Sequence, residues 1–137
     1  MVHGRVRDVF TPSGDWLGWR RIVKSAILTK AGGEVVCSRC LLATGPFTRL
    51  RGLLGRSGLD EGEGMLFRPT GSIHMFFMRF PIDAIFCNRE LDVLDVVRDL
   101  RPWRMAGRRG AKVVIEVAAG AAAAVTAGDR LILQDRG

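Results

Sequence analysis

His74, Asp83, Cys37, Cys40 and a set of arginines carry the side chains of this chain best suited to chemistry. His74 is the one histidine after residue 21, and imidazole is the side chain that ordinarily titrates near neutral pH. Asp83 lies in the apolar run Phe80-Pro81-Ile82-Asp83-Ala84-Ile85-Phe86. A carboxylate there is costly unless it is paired or hydrogen-bonded, and Arg79 is its nearest cationic neighbour in sequence. If adjacent strands bring His74 to Asp83, the two can work as a general acid and base. Otherwise Asp83 takes backbone N–H bonds or an arginine fork and fixes a turn, with His74 lining the same wall. The structural or ligand-positioning role is the expectation.

Cys37-Ser38-Arg39-Cys40 has the spacing of half a zinc site or of a redox pair. A zinc site needs more ligands, for which only Cys87 and His74 are in reserve. Residues three apart in a regular strand also point to opposite faces, so convergence requires a β-bulge. Redox pairs of this spacing sit at helix N-termini, a setting that a β-rich chain does not supply. Small core residues are therefore the expectation, with no metal and no cofactor. Met65, Met75, Met78, Phe76, Phe77 and Phe80 could line an apolar pocket, but core packing is the simpler expectation.

The third group is basic. Arg98, Arg101, Arg104, Arg108, Arg109 and Lys112 lie close together around Trp103 and Met105, opposed only by Asp99. Arginine beside an aromatic ring can clamp a phosphate or carboxylate and stack on a base or sugar. Arg49, Arg51 and Arg56 form a second cluster. If both clusters share one rim, they make an anion-binding groove.

These side chains must be held by short elements. Ile22 to Lys30 and Val35 to Leu42 are β-rich runs joined by Ala31-Gly32-Gly33-Glu34, which reads as a hairpin. Thr44-Gly45-Pro46 starts a short helix, with Phe47, Leu50 and Leu54 on one face and Gly55 as its stop. Met65 to Phe67, Ile73 to Met78, Ile82 to Phe86, Leu91 to Val97, Val113 to Val117 and Leu131 to Leu133 read as strands. A basic loop spans Arg98 to Gly110, and the alanine-rich stretch Ala119 to Ala127 reads as one or two helical turns. Several short strands with two small helices predict a mainly β domain, an antiparallel β-sandwich or partly closed barrel. No crossover helices suited to a parallel α/β fold are evident.

Residues 1–21 read as a loosely ordered extension and 22–137 as the domain, a size that suits a single core. The chain has 47% hydrophobic and 26% charged residues, which excludes a disordered protein. No apolar run approaches the roughly 18–20 residues that span a bilayer. Arg5, Arg7, Asp8 and Pro12 also interrupt any secretory core, so a cytoplasmic location and no membrane association are expected. The three cysteines are then expected to be reduced. The formal net charge of +7 allows a polyanionic partner. Of the 21 basic residues, however, only Lys24, Lys30 and Lys112 are lysine. That bias reads as genome composition, so nucleic acid is not the favoured partner.

One series of motifs is distinctive. Arg49-Leu50-Arg51-Gly52-Leu53-Leu54-Gly55-Arg56, Gly64-Met65-Leu66-Phe67, Ser72-Ile73-His74 and Phe77-Met78-Arg79-Phe80-Pro81-Ile82-Asp83 follow one another. Arg101-Pro102-Trp103-Arg104, Glu116 with Ala119-Gly120, and Gly128-Asp129 come after them. From about Ile22 to Leu133 the chain resembles domain of unknown function 192 (DUF192). The resemblance implies a small, predominantly β, sandwich-like domain and no particular activity. One turn departs from the family pattern: Asn88-Arg89-Glu90-Leu91 stands where family members are usually Asp- and Gly-rich.

The functional expectation is a non-catalytic binding module. Its rim, Arg49, Arg51, Arg79, Arg101, Trp103 and Arg104, would take a small anionic ligand or glycan. The alternative is a small hydrolase- or lyase-like enzyme using His74 and Asp83.

Overall fold

The computed structural model describes residues 24–43, 58–75 and 79–135. The strands in them are β1 (Lys24–Lys30), β2 (Val35–Ala43), β3 (Glu63–Phe67), β4 (Ser72–His74) and β5 (Ile82–Cys87). They continue with β6 (Val93–Leu100), β7 (Met105–Gly107), β8 (Val113–Ala118) and β9 (Leu131–Asp135). Seven form one sheet in the order β6-β5-β8-β3-β2-β1-β9, and β4 and β7 form a separate antiparallel ribbon. The protein is mainly β, as its sequence predicts.

The hairpin of β1 and β2 forms where the glycine pair predicts it. Gly33 adopts a φ of 104°, and its N–H donates to the Lys30 carbonyl. The 88–91 turn keeps its hairpin without the family glycine. The Asn88 side-chain oxygen accepts from the N–H groups of Glu90 and Asp92, while Leu91 takes a φ of 69°. The asparagine side chain thus reinforces a backbone turn, in which Leu91 N–H donates to the Asn88 carbonyl.

Two expectations need correction. The sheet is not wholly antiparallel, because β2 pairs in parallel with β3. The long 44–62 connection makes that crossover possible without breaking the sheet. Nor is Ala119 to Ala127 helical, and no helix occurs among the described residues. Instead Ala121, Ala123 and Val125 donate to carbonyls three residues back, giving successive tight turns. Ala122 and Val125 point inward and anchor those turns in the core, which overrides alanine's helical propensity. The other expected helix, at Pro46 to Gly55, lies outside the described residues.

The sheet curls into a half-barrel. At one end its two edges meet through the Asp92–Arg130 bridge, with Val93 N–H donating to Asp129 and Leu131 N–H to Leu91. One apolar cluster draws on β1, β2, β3, β5, β8 and β9 together, including Leu28, Cys37, Cys40, Leu66, Ile85, Ile115 and Leu131. A cluster reaching across all those strands fills the inside of the curl. A second cluster, with Leu41, Met65, Phe67, Ala84, Phe86 and Val114, lies on the outer face. The β4–β7 ribbon covers it through Ile73, Met75 and Ala106. Met65, Met75 and Phe80 are core residues.

Gly64 sits where β2, β3 and β8 crowd together. A Cβ there would fall 2.8 Å from Cys37 Sγ and 2.8 Å from the Glu116 carbonyl oxygen. Gly64→Ala is expected to destabilise the domain by about 1–3 kcal/mol, read as a lower urea midpoint. An unchanged midpoint would show that the strands spread freely.

Candidate functional site

Asp83 is almost wholly buried on β5, and its register partner Val117 places it on the enclosed face. Its Oδ1 accepts the Asp99 N–H at 2.9 Å. Oδ2 accepts the N–H groups of Gly120 at 2.9 Å and Ala122 at 3.1 Å. Arg98 grips the same turn from the other end, donating to the carbonyls of Ala122 and Val125. Carboxylate and guanidinium therefore bracket residues 120–125 as they would cap a helix, each meeting groups that strand pairing cannot satisfy. This is backbone engagement of the kind expected for Asp83. Arg79, its sequence neighbour, is exposed. Arg98 belongs to this clamp rather than to the basic loop.

His74 ends β4 and pairs with Met105 of β7, over the outer face. Its side chain lies outside the described residues, as do Arg49, Arg51 and residues 76–78. The carboxylate of Asp83 is turned toward the enclosed face and the 119–122 turn.

The basic segment is more ordered than a loop. It contains β7, which sequence reading missed because three residues give too short a pattern. Beyond β4–β7 pairing, Trp103 N–H donates to the Met75 carbonyl and Met75 N–H to the Arg104 carbonyl, both at 2.7 Å. These bonds fix a platform from which Trp103, 59% exposed, and Met105, 68% exposed, face solvent. Trp103 also holds a φ of 70°, a sterically disfavoured backbone for a bulky residue. In the same segment Arg101, Arg104, Arg108 and Arg109 are exposed. Arg101 contacts Asp99 at 3.2 Å, and Arg108 contacts Asp95 at 3.8 Å. Such exposed pairs are weak and leave the guanidinium groups able to exchange partners.

A second buried acid escaped notice as a site residue. Glu116 of β8 lies between Met65 and Ala84 on neighbouring strands, on the outer-face side with Val114. Burial pushes its carboxyl up to about 8. The signal was the one that marked Asp83, a lone carboxylate inside an apolar strand, here Val113-Val114-Ile115-Glu116-Val117. Glu63, also buried, accepts the Asp60 N–H at 2.7 Å and closes the turn ahead of β3.

Cys37 and Cys40 come together. Two register shifts in the β1–β2 pairing add residues to β2, so that Leu28 faces Cys37 and Ala26 faces Cys40. Both thiols consequently enter the enclosed cluster, where each acts on the other's protonation. Regular-strand geometry had placed them on opposite faces, and the bulge overturns that. Among the described residues no three metal-ligating side chains converge. No helix there is long and apolar enough to cross a membrane.

The fold resembles two crystal structures, each at 24% identity. One, from Sinorhizobium meliloti 1021, is described provisionally as a transcription regulator; it matches with a TM-score of 0.70 over 81% of this chain and 93% of that one. The other, a protein of unknown function from Novosphingobium aromaticivorans, matches with a TM-score of 0.65 over 80% of this chain and 84% of that one. At that identity the likeness concerns the fold alone. A UPF0127 protein of Thermococcus sibiricus is 35% identical over 99 residues, which are 69% of this chain and 64% of the relative. A second UPF0127 protein, from Pyrococcus furiosus, is 42% identical over 67 residues, 47% of this chain and 57% of its own. The match thus spans somewhat less than two thirds of either relative's length. The DUF192 family model (Uncharacterized ACR) matches residues 27–133, nearly the whole of the described domain, and the chain belongs to that family.

Proposed function

We propose that the protein is a non-catalytic binding module whose rim, built on the β4–β7 ribbon, takes a small anionic ligand or glycan. The observation that carries this reading is the platform of Trp103 and Met105, exposed on a backbone that hydrogen bonds hold in place, with exposed Arg101 and Arg104 close by in the chain. An exposed indole can stack on a sugar or a planar acid. The flanking guanidinium groups supply planar donors to a carboxylate, sulfate or phosphate. Holding a bulky residue at positive φ costs roughly 1–3 kcal/mol, and such strain collects at ligand sites.

The test is calorimetric titration with a sulfated disaccharide, a sugar phosphate and an oligothymidylate, at low and high salt. Binding of one of the two small anions should weaken with salt, and fall at least roughly tenfold when Arg101 and Arg104 are both replaced by Ala. Unchanged binding in that double variant would sink the reading. Binding confined to the oligothymidylate, with a steep salt slope, would replace it with nucleic-acid recognition.

A further inference from the structure

We propose that Cys37 and Cys40 form a redox site in which hydrogen peroxide closes a disulfide between them. Ser38 and Arg39 are bulged out of the β1–β2 ladder, which brings the cysteines onto one face. Opposite Leu28 and Ala26, which are two apart on β1, both side chains enter the same enclosed cluster. Gly64 leaves the room that Cys37 occupies, since any side chain there would collide with its sulfur. Cys37 Sγ also lies 3.3 Å from the carbonyl oxygen of Gly62, to which its thiol donates. Gly62 belongs to a turn with exposed Asp60 and Glu61, which packs against a sulfur that is itself wholly buried.

The two thiols are electrostatically unequal. The hydrogen bond from Cys40, followed by the Arg39 backbone and charge, holds the Cys37 thiol below its ordinary value, against opposition from burial and Glu63. The same bond and burial push Cys40 well up. Burial pushes the thiol of Cys87, on β5, up to about 12. This asymmetry divides the roles, because the thiolate is the nucleophile and the protonated partner resolves.

The step balances. The Cys37 thiolate attacks one peroxide oxygen, the O–O bond breaks, and the leaving hydroxide takes a proton to become water. The Cys37 sulfenic acid is then attacked by Cys40 sulfur, which loses its proton. The S–S bond forms and the sulfenic oxygen leaves as a second water. Two thiols are oxidised by two electrons and one peroxide is reduced by two.

The experiment needs no variant for its main result. The full chain is treated with hydrogen peroxide, quenched, alkylated after denaturation and mapped by peptide mass spectrometry. The expected product is a Cys37–Cys40 disulfide that dithiothreitol reverses, with Cys87 recovered alkylated. The disulfide should form roughly tenfold or more faster than any Cys87 oxidation. Cys40→Ala should then accumulate Cys37 sulfenic acid, trapped with a dimedone reagent. Recovery of all three thiols, direct conversion of Cys37 to sulfinic acid in the unsubstituted chain, or oxidation led by Cys87 would each overturn the proposal.

Discussion

Glu116→Gln is expected to stabilise the protein, by an amount that grows as pH rises from about 4.5 to about 8. In the unfolded chain the carboxyl ionises in the ordinary range, whereas in the folded state burial holds its proton until about 8. Between those values the folded state binds more protons than the unfolded one, so rising pH favours unfolding. Gln keeps the shape of the protonated acid and cannot ionise. The variant should therefore match the parent near the lower pH and exceed it by roughly 3–5 kcal/mol above the upper one. Urea denaturation of both proteins across this range reads the difference directly. A difference that stays flat with pH would mean that a cation neutralises the carboxylate. A positive result would show that this protein carries Glu116 at a cost to its stability.

Asp83→Ala is the other substitution expected to act strongly, in the opposite direction. It leaves the N–H groups of Asp99, Gly120 and Ala122 without their carboxylate. Water reaches such a site poorly, and an orphaned buried donor costs about 1–3 kcal/mol. The turn also carries Ala122 and Val125 into the enclosed core, so loosening it removes apolar contacts as well. A loss of roughly 3–5 kcal/mol is expected at neutral pH, seen as a large drop in urea midpoint. Asp83→Asn should fall between. Its oxygen can serve Gly120 and Ala122, but its amide then meets the Asp99 N–H donor to donor. A loss below about 1 kcal/mol for Ala would mean that water satisfies all three groups.

The strongest sequence signals were those that physics makes local. Gly32-Gly33 dictated a hairpin, and a carboxylate in the Phe80–Phe86 run demanded donors that the structure supplies. Pairings set by distant residues were hidden. Nothing in Val35–Ala43 reveals that it will lie parallel to Glu63–Phe67, because parallel register depends on a connection rather than on either strand. Cys37 and Cys40 were assigned opposite faces by strand periodicity. The bulge that unites them arises from fitting β2 against β1, and neither segment alone encodes it. The alanine stretch failed for a related reason: Asp83 and Arg98, far away in sequence, hold it in turns. At the candidate rim the residue types were legible, whereas the β4–β7 platform that presents Trp103 was not.

The adjacency of β1 and β9 bears on how the domain is born. Of the described strands, β1 leaves the ribosome first and acquires one neighbour at once, through the hairpin with β2. Its other neighbour, β9, is the last of the described strands to be made. Until β9 emerges, one flank of β1 and the bridge from Arg130 to Asp92 are absent, and the enclosed cluster lacks Leu131. The nascent domain thus stays open along one seam until β9 emerges, and that strand acts as the zip that shuts it.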